Sequence, residues 1–182
     1  MLYNVCTGDF MAFFKPDIYK KTIFDIDYEK LKEEGIKCLV FDLDNTLGLI
    51  DEKKCSKETK KLLNKLKKSF QVYISSNNVR SRIDAYIEDL GIEAEAFSLK
   101  PLPKGLIRIR KRSGVNKKEI AMIGDQIVTD ICSGKLYGTK TILVDPLGVK
   151  DLKITGLNRK IEKMIVKRYE RKDIFKKGRY YE

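Results

Sequence analysis

Apolar positions along the chain follow two alternating rhythms. Short continuous runs, Cys38-Leu-Val-Phe-Asp-Leu, Gln71-Val-Tyr-Ile-Ser, Ala96-Phe-Ser-Leu-Lys, Ile120-Ala-Met-Ile-Gly and Thr141-Ile-Leu-Val, have the length and composition of buried strands. Between them apolar residues recur at helical spacing. Tyr28–Glu34 is an acidic-basic helical stretch ended by Gly35, and Ser56 is placed to cap a helix with Leu62, Leu63 and Leu66 on one face. Val79–Leu90 carries Ile83, Tyr86, Ile87 and Leu90 and closes at Gly91. Residues 104–112 and 127–136 read as helices, and a last one from about Leu157 to Tyr169 places Leu157, Ile161, Met164 and Ile165 on its apolar face. Strands that are apolar on both faces and separated by helices predict an α/β fold: a doubly wound, Rossmann-like parallel sheet covered on both sides. Ligands in such folds sit beyond the carboxyl ends of the strands.

At 182 residues the chain predicts one domain over 11–182, including a basic C-terminal helix at about 157–170, behind an N-terminal extension of residues 1–10. Met11 competes with Met1 as the start of translation. The apolar cluster from Phe10 to Phe14 is too short for a signal-peptide core, and no apolar run is long enough to cross a bilayer. Cys6, Cys38, Cys55 and Cys132 show no paired spacing, which predicts a reduced, cytoplasmic protein. Histidine is absent altogether, which removes Ser-His-Asp and Cys-His nucleophiles, histidine zinc sites and any histidine base. What remains for catalysis is carboxylates, lysines, hydroxyls and a metal. The net charge of +12 favours anionic partners, and the region from Lys150 to Glu182 is the most basic.

Where the predicted strands stop, chemistry collects. The first ends in Asp42-Leu-Asp44-Asn-Thr46, the second in Ser75-Ser76-Asn77-Asn78, the third in Lys100-Pro101, and the fourth in Gly124-Asp125-Gln126 with Thr129-Asp130 following. In a parallel sheet these groups share one edge. Two carboxylates about 4 Å apart repel by about 4 kcal/mol at an effective dielectric near 20, and a divalent cation relieves that conflict. All-oxygen ligands suit magnesium. Asp42, Asp44 and Thr46 also have the spacing of a calcium-loop start, but Leu47 stands where that loop needs glycine and Lys53 where it needs glutamate.

These elements resemble the haloacid dehalogenase superfamily of phosphotransferases. Its signature is matched by Val40-Phe-Asp42-Leu-Asp44-Asn-Thr46, Ser76, Lys100, and Asp125 with Asp130. Phe14-Lys-Pro-Asp-Ile-Tyr, Phe41-Asp-Leu-Asp-Asn-Thr-Leu and Gly124-Asp-Gln-Ile-Val-Thr-Asp are similar to the YqeG branch, itself similar to mitochondrial phosphatidylglycerophosphate phosphatases. The resemblance implies a magnesium-dependent phosphomonoesterase working through an aspartyl-phosphate. Asp42 is then the nucleophile and Asp44 the general acid and base. Lys100 bridges nucleophile and phosphate, and Ser76, with Ser75 as competitor, donates to a phosphate oxygen. Asn77 and Gln126 are candidates for substrate contact, Thr46 for ordering the loop. The Asp42 side chain, the Asp44 carbonyl and Asp125 are implied to hold Mg2+, with Asp130 in direct or water-mediated support.

In this superfamily lids are inserted after the first motif or between the second and third. Both intervals are too short here for a folded lid, which predicts an uncapped, open site. An open site suits large or surface-presented substrates: a phosphatidylglycerophosphate-type lipid, or alternatively soluble sugar, nucleotide or protein phosphates. A second subunit as cover is the other option, and the oligomeric state is left open. The basic C-terminal helix and the Phe10–Phe14 cluster are candidates for peripheral contact with an anionic inner membrane face. A nucleic-acid- or ribosome-associated binding protein is the alternative from another class, disfavoured by the intact motifs and the lack of an aromatic-basic RNA-binding pattern.

Overall fold

The computed structural model describes residues 14–148 and 155–182, with 155–160 by backbone alone. The chain runs β1 (Ile18–Lys20), α1 (Tyr28–Glu33), β2 (Cys38–Phe41), α2 (Lys57–Leu66), β3 (Gln71–Ser75), α3 (Arg80–Ile87), β4 (Glu93–Glu95), α4 (Lys104–Ser113), β5 (Ile120–Gly124), α5 (Cys132–Tyr137), β6 (Lys140–Val144) and α6 (Thr155–Arg171). The strands form one parallel sheet in the order β1-β6-β5-β2-β3-β4. Side chains alternate across each strand, so the sheet buries two faces. Leu39, Phe41, Ile74 and Ile123 meet Leu63 and Leu66 of α2 and Ile83 and Tyr86 of α3. On the opposite face Val40, Tyr73 and Met122 meet Leu106 and Ile109 of α4. A further cluster on that side joins Tyr19 and Leu143 to Ile127, Ile131, Tyr169 and Phe175. The sheet is therefore doubly wound, as the apolar rhythm predicts. The chain reverses direction across the sheet between β2 and β5, where folds of this kind open a crevice.

Four local features depart from the sequence reading. β1 is an unpredicted edge strand. The Asp17 carboxylate accepts hydrogen bonds from the Thr141 amide (2.9 Å) and hydroxyl (2.7 Å) and pairs with Lys135 at 2.5 Å, which ties β1 to β6. Its outer side is covered by the C-terminal segment through an antiparallel Tyr19–Tyr181 bridge, which removes an open edge. Second, the strand expected at Ala96–Lys100 lies upstream at Glu93–Glu95, because Phe97 (φ 46°) and Leu99 (φ 58°) are left-handed and cannot continue a ladder. Third, the helix expected over 127–136 opens with a π-helical turn, Ile127–Ile131, before α5. Fourth, the packed face of α6 is rotated from the expected one. Ile165, Val166 and Tyr169 pack on the sheet, whereas Ile161 and Met164 are exposed at 40% and 72%. The reason is the tail: Phe175 turns back beneath α6 and sits 5.0 Å from the Tyr19 ring, which selects the Tyr169 stripe.

Phe175→Ala is accordingly expected to cost about 3–5 kcal/mol in urea unfolding, and Met164→Ala less than about 0.5 kcal/mol. Equal effects would mean that the tail does not select the helix face. The expected extension 1–10, Met11, Cys6 and the Phe10–Phe13 part of the apolar cluster lie outside the described residues, as does the Leu157 side chain.

Candidate active site

Strand register puts the site together. Phe41 is level with Ile74 of β3 and Ile123 of β5, so Asp42 leaves the sheet between the ends of both neighbours. Its amide still donates to the Ile123 carbonyl at 2.8 Å, which extends the ladder by one step and fixes the carboxylate at the crevice. The next turn is tight. Asn45 adopts φ 64°, and the Leu47 amide reaches back to the Leu43 carbonyl at 3.0 Å. Leu43 and Leu47 anchor this turn in the core, and the Tyr86 hydroxyl donates to the Leu47 carbonyl at 2.7 Å.

On the far side of the crevice Asp125 follows β5, and the π-helical turn brings Asp130 back toward the strand. The Gln126 amide donates to Asp130 Oδ2 at 3.1 Å. Gly124 permits that approach, since a Cβ there would lie 2.3 Å from Asp130 Cγ. Carboxylate oxygens of Asp42, Asp125 and Asp130 can thus lie within 4.8 Å of one another, all three buried.

Lys100 enters from the β4 side. Because Phe97 and Leu99 turn outward, Ser98 and Lys100 turn inward. The Lys100 ammonium donates to Asp42 Oδ1 (2.5 Å), Asp130 Oδ1 (2.6 Å) and the Ser75 carbonyl (2.9 Å). Asn77 clamps the same turn: its Nδ2 donates to the Lys100 carbonyl at 2.9 Å and its Oδ1 accepts from the Lys100 amide at 2.8 Å. The Asn77 side chain, a candidate for substrate contact, is therefore engaged in holding Lys100.

Ser75 and Ser76 separate cleanly. Ser75 Oγ donates to Ser98 Oγ at 2.9 Å, away from the carboxylates, whereas Ser76 Oγ accepts from the Asn78 amide at 3.1 Å and leaves its own proton for another partner. Thr46 Oγ1 lies 3.4 Å from Asp125 Oδ1 and ties the first loop to β5. The Gln126 side chain stays local, 3.4 Å from the Thr129 hydroxyl. Asp44 is not with the other acids. Arg82 NH2 donates to its Oδ1 at 3.1 Å and Asn78 Nδ2 to its Oδ2 at 3.0 Å. Neither Arg82 nor Asn78 was marked out by the sequence as a partner of Asp44. The available signal was the position of both just after the Ser-Ser-Asn end of β3, one at the turn and one on the first turn of α3.

Burial is the main influence on Asp42 and pushes its carboxyl up. Lys100 pulls against it and Asp130 adds to the rise, leaving Asp42 at about 7. Burial also opposes the Lys100 charge, but the Asp130 and Asp42 carboxylates outweigh it and hold the ammonium above the usual lysine range. Among the described residues, with every group ionised, three carboxylates and one ammonium leave two negative charges, which a divalent cation neutralises. The buried all-oxygen donor set fits magnesium.

A family model described as haloacid dehalogenase-like hydrolase matches residues 9–138. The chain is 37% identical over 161 residues to the Bacillus subtilis (strain 168) protein named "Probable phosphatase YqeG", spanning 88% of this chain and 94% of that one. It is 28% identical over 173 residues to phosphatidylglycerophosphate phosphatase 1, chloroplastic/mitochondrial, of Arabidopsis thaliana, covering 89% of this chain and 50% of that protein. Among solved structures, a Listeria monocytogenes protein aligns with TM-score 0.52 at 19% identity, over 64% of this chain and 85% of that chain. A haloacid dehalogenase family enzyme from Bacteroides thetaiotaomicron, solved as a magnesium complex, aligns with TM-score 0.50 at 16% identity, over 66% and 98%. At such identities the two structures show a shared fold.

Proposed function

The chain belongs to the haloacid dehalogenase-like hydrolases, and we propose that it is a magnesium-dependent phosphatase that hydrolyses the phosphomonoester of a phosphatidylglycerophosphate-type lipid. The observation that carries the chemistry is the meeting of Asp42, Asp125, Asp130 and Lys100 at the crevice between β2 and β5. Residues 11–182 serve as one domain for it, open at the strand ends.

In the first step an Asp42 oxygen attacks phosphorus and the bond to the leaving alcohol breaks, while Asp44 gives its proton to the departing oxygen. In the second, Asp44 takes a proton from water, the resulting hydroxide attacks the phosphoryl group, and the bond to Asp42 breaks. Lys100 and the Ser76 hydroxyl face the non-bridging oxygens, where negative charge grows. The Asp42 and Asp125 carboxylates with the Asp44 carbonyl would hold magnesium, and Asp130 would support them directly or through water. When bound, the ion neutralises nucleophile and phosphoryl group so that the two anions can approach.

The lipid assignment draws on the Arabidopsis relative, half of whose length the chain spans, and on the open strand ends, and it implies peripheral contact with a membrane. No helix among the described residues is long and apolar enough to cross one. Phosphate release from phosphatidylglycerophosphate, sugar, nucleotide and peptide phosphates tests the assignment, with magnesium present. The lipid is expected to be the best substrate; rapid cleavage of soluble esters with the lipid untouched rejects it.

Arg82 gives a test of positioning. Arg82→Gln removes one of two groups that hold Asp44, and kcat is expected to fall roughly 10- to 100-fold with KM little changed. An unchanged kcat would mean that Arg82 does not steer the acid.

Metal and pH are linked through Asp42. Below its ordinary value of 3.8 the carboxyl is protonated in both folded and unfolded protein. Between there and about 7 the folded protein keeps a proton that the unfolded chain releases, so the metal-free protein loses stability as pH rises. Magnesium binds the ionised form. The rise in Tm on adding magnesium is therefore expected to grow between about pH 5 and about pH 8. A rise independent of pH in differential scanning calorimetry would separate the ion from Asp42.

A further inference from the structure

We propose that the rim of the active site is a docking face for an anionic lipid bilayer, an inference that rests on the lipid-substrate reading and names the surface by which the substrate is reached. Among the described residues, seven of the twelve large apolar side chains exposed to solvent stand at one edge of the sheet, the other five being on α4, α5, α6 and the C-terminal tail. Phe24 follows β1, Leu49 follows β2, Val79 follows β3, Phe97, Leu99 and Leu102 follow β4, and Leu147 follows β6. All seven are at least 36% exposed, Phe97 most at 55%. The loop after β5 carries none because it forms the acidic floor. The loops of the opposite sheet edge, which feed the strands from their amino ends, carry none among the described residues. Scattered surface apolar residues need no explanation; a ring around one opening does.

The backbone after β4 strengthens the point. Phe97 and Leu99 both occupy the left-handed region, at φ 46° and 58°, which bulky residues seldom adopt. The strained turn sends the two apolar side chains out and the polar Ser98 and Lys100 in, the reverse of an ordinary surface loop. Beside Thr46, Ile23, Phe24, Leu47, Leu49 and Leu147 line one part of a groove of about 350 Å³ leading off the first loop, with Glu52 and Glu58 at its α2 side.

Charge selects the occupant. Exposed Lys21, Lys53, Lys54, Arg80 and Lys104 stand on the same segments as the apolar ring, against exposed Asp25, Asp27 and Asp51. Apolar side chains at headgroup depth with basic residues around them match an anionic membrane surface. The arrangement sets the crevice facing the bilayer, so that a headgroup phosphate enters without the lipid leaving its leaflet.

The test is co-sedimentation of the full chain with vesicles of phosphatidylglycerol and phosphatidylcholine, or of phosphatidylcholine alone. The wild type is expected to bind the anionic vesicles, less so as salt is raised. The triple variant Phe24→Ser, Phe97→Asn, Leu102→Ser is expected to bind at least tenfold more weakly while hydrolysing p-nitrophenyl phosphate at the wild-type rate; asparagine keeps the left-handed conformation at 97. The pair Ile161→Ser, Met164→Ser, on the exposed face of α6, is expected to bind normally. The proposal is overturned if the wild type ignores anionic vesicles, if the triple variant binds like the wild type, if the α6 pair abolishes binding instead, or if the rim substitutions split a dimer that covers the opening. Hydrolysis of a short-chain phosphatidylglycerophosphate below its micelle concentration separates the two claims. Cleavage there without vesicle binding overturns the docking face alone, and vesicle binding without cleavage overturns the substrate reading.

Discussion

Asp42→Asn is expected to abolish phosphate release, lowering turnover at saturating magnesium by at least about 10⁴-fold, with no loss of thermal stability. Both halves follow from the crevice. The substitution keeps the shape of the side chain and removes the carboxylate beside Lys100 that the proposed reaction uses as its nucleophile. It also removes a carboxylate that burial already pushes up to about 7, so a neutral side chain at this position relieves the site as much as it weakens the contact to Lys100. Malachite-green detection of phosphate and a melting curve on the same preparation check the two halves. Turnover within a hundredfold of wild type would place the nucleophile elsewhere. A large fall in Tm would mean that Asp42 acts as a structural anchor.

Asp42 was legible in the sequence because a buried strand leaves a strong local trace. Cys38–Phe41 is apolar on both faces, and a carboxylate directly after such a run has few other reasons to be there. The same holds for Gly124-Asp125 after β5, and the parallel sheet then follows from the helices between the strands. What escaped the reading was set by contacts distant in the chain. β1 is only three residues long and is stabilised by Thr141 and Tyr181, each more than a hundred positions away, so no periodicity marks it. The strand expected at 96–100 alternates correctly in side-chain character, yet its backbone is turned by two left-handed residues that no local pattern announces. The α6 face follows from a tail that folds back on Tyr19. Arg82 sits on a helix where an arginine is ordinary, and only the turn at Asn45 brings Asp44 to meet it. Local pattern thus reveals which residues end a strand, while their partners are decided by tertiary packing.

The rim and the floor divide the work of such a site. Asp125, Asp130 and Lys100 are buried at 2%, 1% and 8% exposure, where charge is costly and strongly felt. The apolar side chains that encircle them are on loops, which a rigid sheet holds in place. The loop after β4 serves both functions, since one turn points Lys100 at Asp42 and Phe97 at the solvent.

Lys100→Met is expected to act twice, and the two effects are separable. In the metal-free protein it removes the ammonium that Asp42 and Asp130 share and leaves these two buried acids facing one another, a loss of about 3–5 kcal/mol in stability. Magnesium supplies charge to the same cluster, so most of that loss is expected to be recovered in its presence. Turnover is not expected to recover. Lys100 donates to Asp42 Oδ1 at 2.5 Å, and in the proposed reaction its charge also faces the phosphoryl oxygens as they gain charge. Removing one such donor costs roughly 10²–10³-fold. Urea unfolding with and without magnesium, alongside turnover at saturating magnesium, reads both. A variant as stable as wild type without metal would show that the carboxylates have protonated rather than repelled. A variant with wild-type turnover would confine Lys100 to the resting site, as an ammonium that stands in for the ion and leaves when it binds.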